Sequence, residues 1–135
     1  MKRYALDTSA LIAFFQDEPG AAKVQELLTE ARQAEHPLLL SVVNWGELYY
    51  VAWQRMGEAA AQQRVQEIAR LPIELVDVDR ETALLAATLK AQHKLPYADC
   101  FAAALAQQRK ATLVTADKDF QSLQRGVNLL WVKPG

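Results

Sequence analysis

Residues 3–16 read RYALDTSALIAFFQ, and this stretch predicts the class of the fold. Its first four residues form a short strand-like run that stops at Asp7. Residues 9–16 then predict a helix, with Thr8 and Ser9 as the candidates for its N-terminal cap. A strand followed directly by a helix is the repeating unit of parallel α/β proteins.

The rest of the chain continues this alternation. Further strands are predicted at residues 38–42, 73–78, 112–114 and 127–132. Helices are predicted at residues 21–34, 44–56, 58–71, 80–93 and 96–108, with a short helical turn at residues 117–123. Asn44 and Asp79 are the expected caps of two of these helices, and Pro96 opens another. We therefore expect an α/β fold with a five-stranded parallel sheet between helix layers.

The composition is that of an ordinary globular protein. The chain has 135 residues, of which 51% are hydrophobic and 23% charged, so intrinsic disorder is excluded. This length predicts one domain, covering residues 1–135. Lys and Arg number 15 against 16 Asp and Glu, for a net charge of -1. A strongly basic nucleic-acid-binding surface is excluded, and any contact with nucleic acid must use a local patch.

The cysteine content and the hydropathy exclude further classes of protein. Cys100 is the one cysteine, and with two histidines it supports neither an internal disulfide nor a Cys/His zinc cluster. The N-terminus meets Asp7 before any long apolar run, which is not typical of a signal peptide. No apolar stretch approaches the ~20 residues of a membrane span. We expect a soluble, cytoplasmic protein without a membrane partner.

Polar side chains follow two of the predicted strands. Asp7 follows the first strand directly, and Thr115, Asp117 and Asp119 follow the fourth. In parallel sheets the ligand site lies beyond the carboxyl ends of the strands. We expect both groups of side chains at this edge.

Two more acids, Glu47 and Asp99, occupy helices that are otherwise apolar or small. Asp99 heads the small-residue face of its helix, where a carboxylate is costly unless something pairs with it. No Lys or Arg lies within one turn, so a divalent cation is the simplest partner. Oxygen ligands without His or Cys suit Mg²⁺ or Mn²⁺. Such acids indicate metal-assisted hydrolysis of a phosphodiester.

Each acid taken alone also has a structural interpretation. Asp7 is equally well explained as a helix cap, and Glu47 as a partly solvated helix residue. Asp99 could pair with the helix dipole, and Asp117 with Asp119 could form a capped turn. The functional interpretation rests on the joint pattern.

Four short motifs carry a family resemblance. They are residues 6–12 (LDTSALI), residues 41–48 with Glu47, residues 96–99 (PYAD) with the alanine-rich run behind them, and residues 115–120 (TADKDF). Together they resemble the PIN domain ribonucleases. Their order and spacing, and the chain length, are similar to the VapC toxins of bacterial VapBC toxin–antitoxin pairs. The resemblance covers essentially the whole chain.

The resemblance implies a PIN-like three-layer sandwich and a Mg²⁺- or Mn²⁺-dependent endoribonuclease acting on RNA. It implies catalytic roles for Asp7, Glu47, Asp99, Thr115 and Asp117. It implies that Asp7, Glu47, Asp99 and Asp117 are metal-binding acids, with Asp119 as an accompanying acid. Thr8 or Ser9, together with Thr115, matches hydroxyls that orient a carboxylate or a metal-bound water. Ser9 and Lys118 are the candidates for substrate contacts.

The resemblance also implies a homodimer and a cognate VapB-type antitoxin that blocks the cleft. One position departs from the family pattern, because Gly46 directly precedes Glu47. Glycine weakens a helix interior by about 1 kcal/mol. This favours a late helix start, with Glu47 in the first turn, and leaves its distance from a metal open.

Two rival interpretations use the same residues. Thr115-Ala116 and Lys133-Pro134 resemble a response-regulator receiver, in which Asp77 or Asp79 would accept a phosphoryl group. Receivers usually carry two acids after the first strand and give no reason for Glu47 or Asp99. The other rival is a catalytically dead PIN-fold binding module, which the presence of all four acids does not favour.

Overall fold

The computed structural model describes residues 2–132 and places one five-stranded parallel sheet among them. The strands are β1 (Tyr4–Leu6), β2 (Leu38–Ser41), β3 (Ile73–Val76), β4 (Thr112–Thr115) and β5 (Leu129–Trp131). Their order in the sheet is β3-β2-β1-β4-β5, and every pairing is parallel. The predicted parallel sheet is confirmed, whereas Lys133-Pro134 lies outside the described residues.

Helices connect the strands, with bounds close to those predicted. They are α1 (Thr8–Phe15), α2 (Ala21–Ala34), α3 (Val42–Met56), α4 (Glu58–Arg70), α5 (Arg80–Gln92) and α6 (Tyr97–Arg109), followed by a 3₁₀ helix (Lys118–Leu123). Within residues 2–132, none of these helices combines the length and the apolar character needed to cross a membrane.

The central strands of the sheet are buried on both faces. Neighbouring residues of the central strands enter two different cores: Ala5 and Leu6, Leu39 and Leu40, Leu113 and Val114. One core is closed by α5 and α6, for example through Ala86 and Phe101. The other is closed by α1 to α4, for example through Leu11, Leu27 and Ile68. This alternation confirms three layers, because successive side chains of a strand point to opposite faces.

The central position of β1 determines where the polar residues meet. Leu6 is in register with Leu40 of β2 and with Val114 of β4, so the three strands end at one level. The next residue, Asp7, donates its backbone N–H to the carbonyl of Val114 at 3.1 Å. The chain leaves β1 towards β2 and returns on its other side as β4, which makes this edge a topological switch point.

Two helix starts differ from the prediction. Asp7, and neither Thr8 nor Ser9, caps α1, because its side chain accepts the N–H of Ala10. Ser41, not Asn44, caps α3 by accepting the N–H of Val43.

The helix α3 therefore begins before Gly46, and Glu47 lies in its second turn instead of its first. The serine cap, together with packing of α3 against α4, α1 and α6, compensates for the glycine.

We predict that Gly20→Ala destabilises the protein more than Gly57→Ala. Both glycines have positive φ, +105° and +99°, so both variants lose about 1–2 kcal/mol from backbone strain. A Cβ at Gly20 would also lie 2.7 Å from the carbonyl oxygen of Val132, whereas nothing lies within 4 Å at Gly57. We expect roughly 1–3 kcal/mol of additional loss for Gly20→Ala. Urea unfolding measures both values, and equal losses would contradict the close approach.

Candidate active site

Asp7 is the anchor of the site. It lies at the junction of β1 and α1 and is only 1% exposed. Its Oδ1 accepts the N–H of Ala10 at 2.9 Å, and its Oδ2 accepts the hydroxyl of Thr115 at 2.7 Å. The hydroxyl of Ser9 lies 2.8 and 2.9 Å from the two oxygens. These donors hold the carboxylate in one orientation.

Ser9 and Thr115 also tie Asp7 to the loop behind β4. The Ser9 hydroxyl accepts the backbone N–H of Ala116 at 3.0 Å. The Thr115 hydroxyl accepts the N–H of Asp117, also at 3.0 Å. Each hydroxyl therefore receives a backbone proton and gives its own to Asp7, which couples the first motif to the fourth.

Glu47 reaches the same region from α3. Its Oε1 accepts the hydroxyl proton of Thr8, the first residue of α1, at 2.5 Å. Thr8 is 5% exposed, and the Glu47 side chain is half-buried. The two hydroxyls of the first motif thus serve different acids, Thr8 for Glu47 and Ser9 for Asp7.

Asp99 lies in the first turn of α6 and is 8% exposed. Among the hydrogen bonds of residues 2–132, none reaches its carboxylate. Burial, and after it the charges of the other acids, raise the pKa of Asp99 to about 7. In order of effect these acids are Asp7, Asp117, Glu47 and Asp119. All five acids therefore share one electrostatic field, as the sequence predicted.

The pKa of Asp7 is also raised, but by less than that of Asp99. Burial raises its pKa to about 6, although the hydrogen bonds from Thr115, Ala10 and Ser9 oppose the change. The charge of Asp117 adds to the increase. Asp7 is thus more deeply buried than Asp99 but better supplied with donors.

The fourth motif forms the open side of the cluster. Asp117 caps the 3₁₀ helix by accepting the N–H of Asp119 at 2.9 Å. Asp117 is half-buried, whereas Lys118 and Asp119 are exposed. Solvent therefore reaches the cluster from the side on which a positively charged lysine stands.

The side chains fit a hard divalent cation by their chemistry. In the described part of the chain, no three acidic, histidine or cysteine side chains already converge closely enough to hold a metal. The acids nevertheless offer oxygen ligands without histidine or cysteine, and among the described residues no hydrogen-bond donor or basic side chain pairs with the carboxylate of Asp99. Mg²⁺ or Mn²⁺ matches this donor set, since both prefer oxygen ligands.

Asn44 is a site residue that the sequence analysis did not assign. It is fully buried, and its Nδ2 donates to the carbonyl of Ala98 at 3.1 Å and to the Thr8 hydroxyl at 3.3 Å. Its spacing could have indicated this role, because residues three apart share a helix face and Asn44 stands three before Glu47.

Comparisons with known proteins agree with this architecture. The family model described as PIN domain matches residues 4–126. The chain is 32% identical to a VapC ribonuclease of Mycobacterium bovis over 123 residues, which cover 86% of this chain and 91% of the relative.

Solved structures are similar over nearly the whole chain. DNA-bound VapBC from Salmonella typhimurium matches with a TM-score of 0.72 at 18% identity, covering 98% of this chain and 99% of that one. VapC20 of Mycobacterium tuberculosis, described as a sarcin-ricin loop cleaving toxin, matches at 0.64 and 16% identity, covering 92% and 95%. These likenesses show the predicted fold.

We predict that the metal-free protein loses stability as pH rises from about 4 to 7. Asp7 and Asp99 ordinarily titrate near 3.8 but in the folded protein near 6 and 7. The folded state therefore holds protons that the unfolded state has released. This stabilisation is complete below pH 3.8 and disappears as pH passes the folded pKa values. Asp7 alone accounts for about 3 kcal/mol.

Thermal unfolding in EDTA between pH 4.5 and 8 measures this loss. Asp99→Asn should unfold at a higher temperature than wild type at pH 8 and show a smaller decrease across the range. Asp77→Asn, an exposed acid outside the cluster, should follow the wild type. A wild-type Tm that rises over this range would contradict the prediction.

Proposed function

We propose that this chain, which belongs to the PIN domain family and within it to the VapC ribonucleases, is a Mg²⁺- or Mn²⁺-dependent endoribonuclease. The observation that carries the proposal is the carboxylate of Asp99. It is buried, receives no hydrogen bond from the described residues and stands in the field of four other acids. A site of this charge needs a cation to be fully ionised at neutral pH.

Asp7, Asp99 and Asp117 are the proposed metal ligands, with Asp119 beside them on the open side. When bound, the cation would activate a water and stabilise the charge that develops on the cleaved phosphodiester. Glu47 belongs to the same cluster as a catalytic carboxylate. Among the described residues, no histidine or lysine forms a hydrogen bond or an ion pair with Asp7, which favours chemistry by carboxylates.

The neighbouring hydroxyls keep the acids in place. Ser9 and Thr115 donate to Asp7, and Thr8 donates to Glu47. A carboxylate that is already oriented loses little entropy when it takes up a ligand, so the site is preorganised. We propose orientation of Asp7 as the main role of Thr115 and Ser9, and a contact with the substrate as a further role of Ser9.

RNA is the proposed substrate. The M. bovis relative is named a ribonuclease, and VapC20 is described as cleaving the sarcin-ricin loop. The chain itself has a net charge of -1, so its phosphate contacts must be local. Lys118 is exposed inside the fourth motif and is the proposed phosphate contact.

The biological setting follows from the family. The Salmonella structure is a VapBC complex, and we propose a VapB-type antitoxin as the partner of this chain. We further propose a homodimer of single-domain chains, residues 1–135, that acts as the toxin of the pair in the cytoplasm, where its RNA substrate is found.

Family membership sets the receiver interpretation aside. The side chain of Asp79 is also engaged in capping α5, where its Oδ1 accepts the N–H of Thr82 at 2.8 Å. These hydrogen bonds lower the pKa of Asp79, as expected of a cap. The catalytically dead binding module remains the alternative that an activity assay decides.

We predict that purified protein cleaves bacterial RNA only with Mg²⁺ or Mn²⁺, and that EDTA abolishes cleavage. Asp99→Asn should lower the rate by about 100-fold or more, equivalent to ~3 kcal/mol of transition-state stabilisation. The substitution removes one charge and almost no volume, so the fold survives. Asp77→Asn makes the same chemical change outside the cluster and should cleave like the wild type.

Gel analysis of total RNA distinguishes the outcomes. Equal cleavage by wild type and Asp99→Asn would mean a contaminating ribonuclease. A folded, antitoxin-free wild type that cuts no transfer, ribosomal or messenger RNA with either metal would support the binding module and contradict the proposal.

We predict that Lys118→Gln raises KM for RNA without changing kcat. A phosphate contact contributes to binding in the ground state and the transition state alike. The slope of log KM against log salt concentration should decrease by about one, which is the contribution of a single phosphate contact. Lys110→Gln is the matched control, because Lys110 lies just before β4 at the opposite edge of the sheet. Equal effects of the two variants would count against a specific contact.

A further inference from the structure

Asn44 is a fully buried amide in the first turn of α3. A buried amide is costly unless its hydrogen bonds are satisfied. Ser41 already caps the helix, so capping does not explain Asn44. Moreover, its Oδ1 is buried and has no hydrogen-bond partner among the described residues. An unpaired buried acceptor costs about 1–3 kcal/mol, so Asn44 is a poor choice for stability alone.

The contacts of Nδ2 connect three helices, of which α1 is capped by an acid of the cluster and α3 and α6 each contain one. One bond goes to the carbonyl of Ala98, the residue before Asp99 on α6. The other goes to the hydroxyl of Thr8, the residue after Asp7 at the start of α1. Asn44 itself precedes Glu47 on α3 by one turn. A single side chain thus joins the beginnings of α1, α3 and α6.

The bond to Thr8 has a direction. Thr8 Oγ1 lies 2.5 Å from Glu47 Oε1 and 3.3 Å from the backbone carbonyl of Asn44. The hydroxyl has one proton, and the nearer, negatively charged oxygen of Glu47 is the stronger acceptor. Nδ2 donates to the same hydroxyl, so the amide donates to the hydroxyl and the hydroxyl donates to the carboxylate. Hydrogen bonds in such a chain reinforce one another.

We infer that Asn44 is a positioning residue of the acid cluster. Through Thr8 it orients the Glu47 carboxylate, and through Ala98 it sets the distance between the first turns of α3 and α6, and hence the place of Asp99. The inference rests on the proposed function, because it assumes that these acids bind a cation. Loss of Asn44 should therefore weaken cation binding beyond any effect on folding.

The experiment measures Mn²⁺ binding to the full chain by electron paramagnetic resonance, with urea unfolding and RNA cleavage on the same samples. Asn44→Ala and Thr8→Val each break the chain of hydrogen bonds, and the double variant closes a thermodynamic cycle. Thr8→Ser keeps the hydroxyl and should restore binding. Thr82→Val is the control, because Thr82 is also buried and joins α5 to Gln108 near the far end of α6 at 2.6 Å.

We predict that Asn44→Ala and Thr8→Val each weaken Mn²⁺ binding by about 10- to 100-fold, because Asn44 sets the place of the proposed ligand Asp99 and Thr8 orients Glu47, whose charge acts on Asp99. Because both variants interrupt the path through Thr8, while Asn44→Ala also removes the contact to Ala98, the double variant should lose less affinity than the sum of the two single losses. Thr8→Ser should bind within about threefold of wild type. Thr82→Val should lose stability and bind Mn²⁺ like the wild type.

Two results would overturn the inference: wild-type Mn²⁺ affinity in folded Asn44→Ala, or fully additive losses in the double variant. If Asn44→Ala does not fold, Asn44→Leu keeps the number and branching of the side-chain heavy atoms without the amide, and Thr8→Val tests the path through Thr8. Wild type that binds Mn²⁺ but cuts no RNA would contradict the proposed function while the binding cycle still decides the role of Asn44. Wild type that cuts RNA but binds no Mn²⁺ would overturn the inference alone, and wild type that neither binds Mn²⁺ nor cuts RNA with either metal would overturn both.

Discussion

The burial of one carboxylate, Asp7, at the end of the central strand constrains the rest of the site. A charged group at this depth is tolerated only with several donors, and they come from three places. Ala10 supplies a backbone N–H from α1, Ser9 a hydroxyl from the same turn, and Thr115 a hydroxyl from the end of β4. The hydrogen bonds that Asp7 accepts therefore hold the first motif against the fourth. The strand order places both motifs at the switch point of the sheet.

This arrangement trades stability for function. Asp7 and Asp99 are both more easily protonated in the folded protein than in the unfolded chain, which means that their charges oppose folding at neutral pH. Replacing them would remove this cost, but the chain would lose two of the oxygen ligands proposed for the cation. Carboxylates whose pKa values are raised in this way are typical of functional sites. A bound cation would stabilise the native state as well as carry the chemistry.

Part of this architecture could be predicted from the sequence, and the reasons are physical. Alternating strands and helices define a parallel sheet, and acids directly after strands must lie at its carboxyl edge. The caps were harder to assign, because Asp7, Thr8 and Ser9 are all good capping residues and only tertiary contacts decide among them. Asp7 is the one whose carboxylate also meets Thr115. The role of Asn44 depends on the approach of α1 and α6, which no local pattern contains.

Three helices begin at the site, and their positive ends compensate the acids unequally. Asp7 caps α1 and Asp99 lies in the first turn of α6, so both gain from a helix dipole, by up to about 1 kcal/mol. Glu47 lies in the second turn of α3, where this effect has largely faded.

Glu47, which gains least from a helix dipole, accepts a hydrogen bond from Thr8, and Thr8 in turn accepts one from Asn44. Asp99 has the dipole but no donor from the described residues, and its pKa is the higher of the two raised values, about 7 against about 6 for Asp7. Each acid is thus stabilised in a different way, and the carboxylate of Asp99 stays free to take a ligand. A divalent cation is the ligand that we propose for this remaining charge.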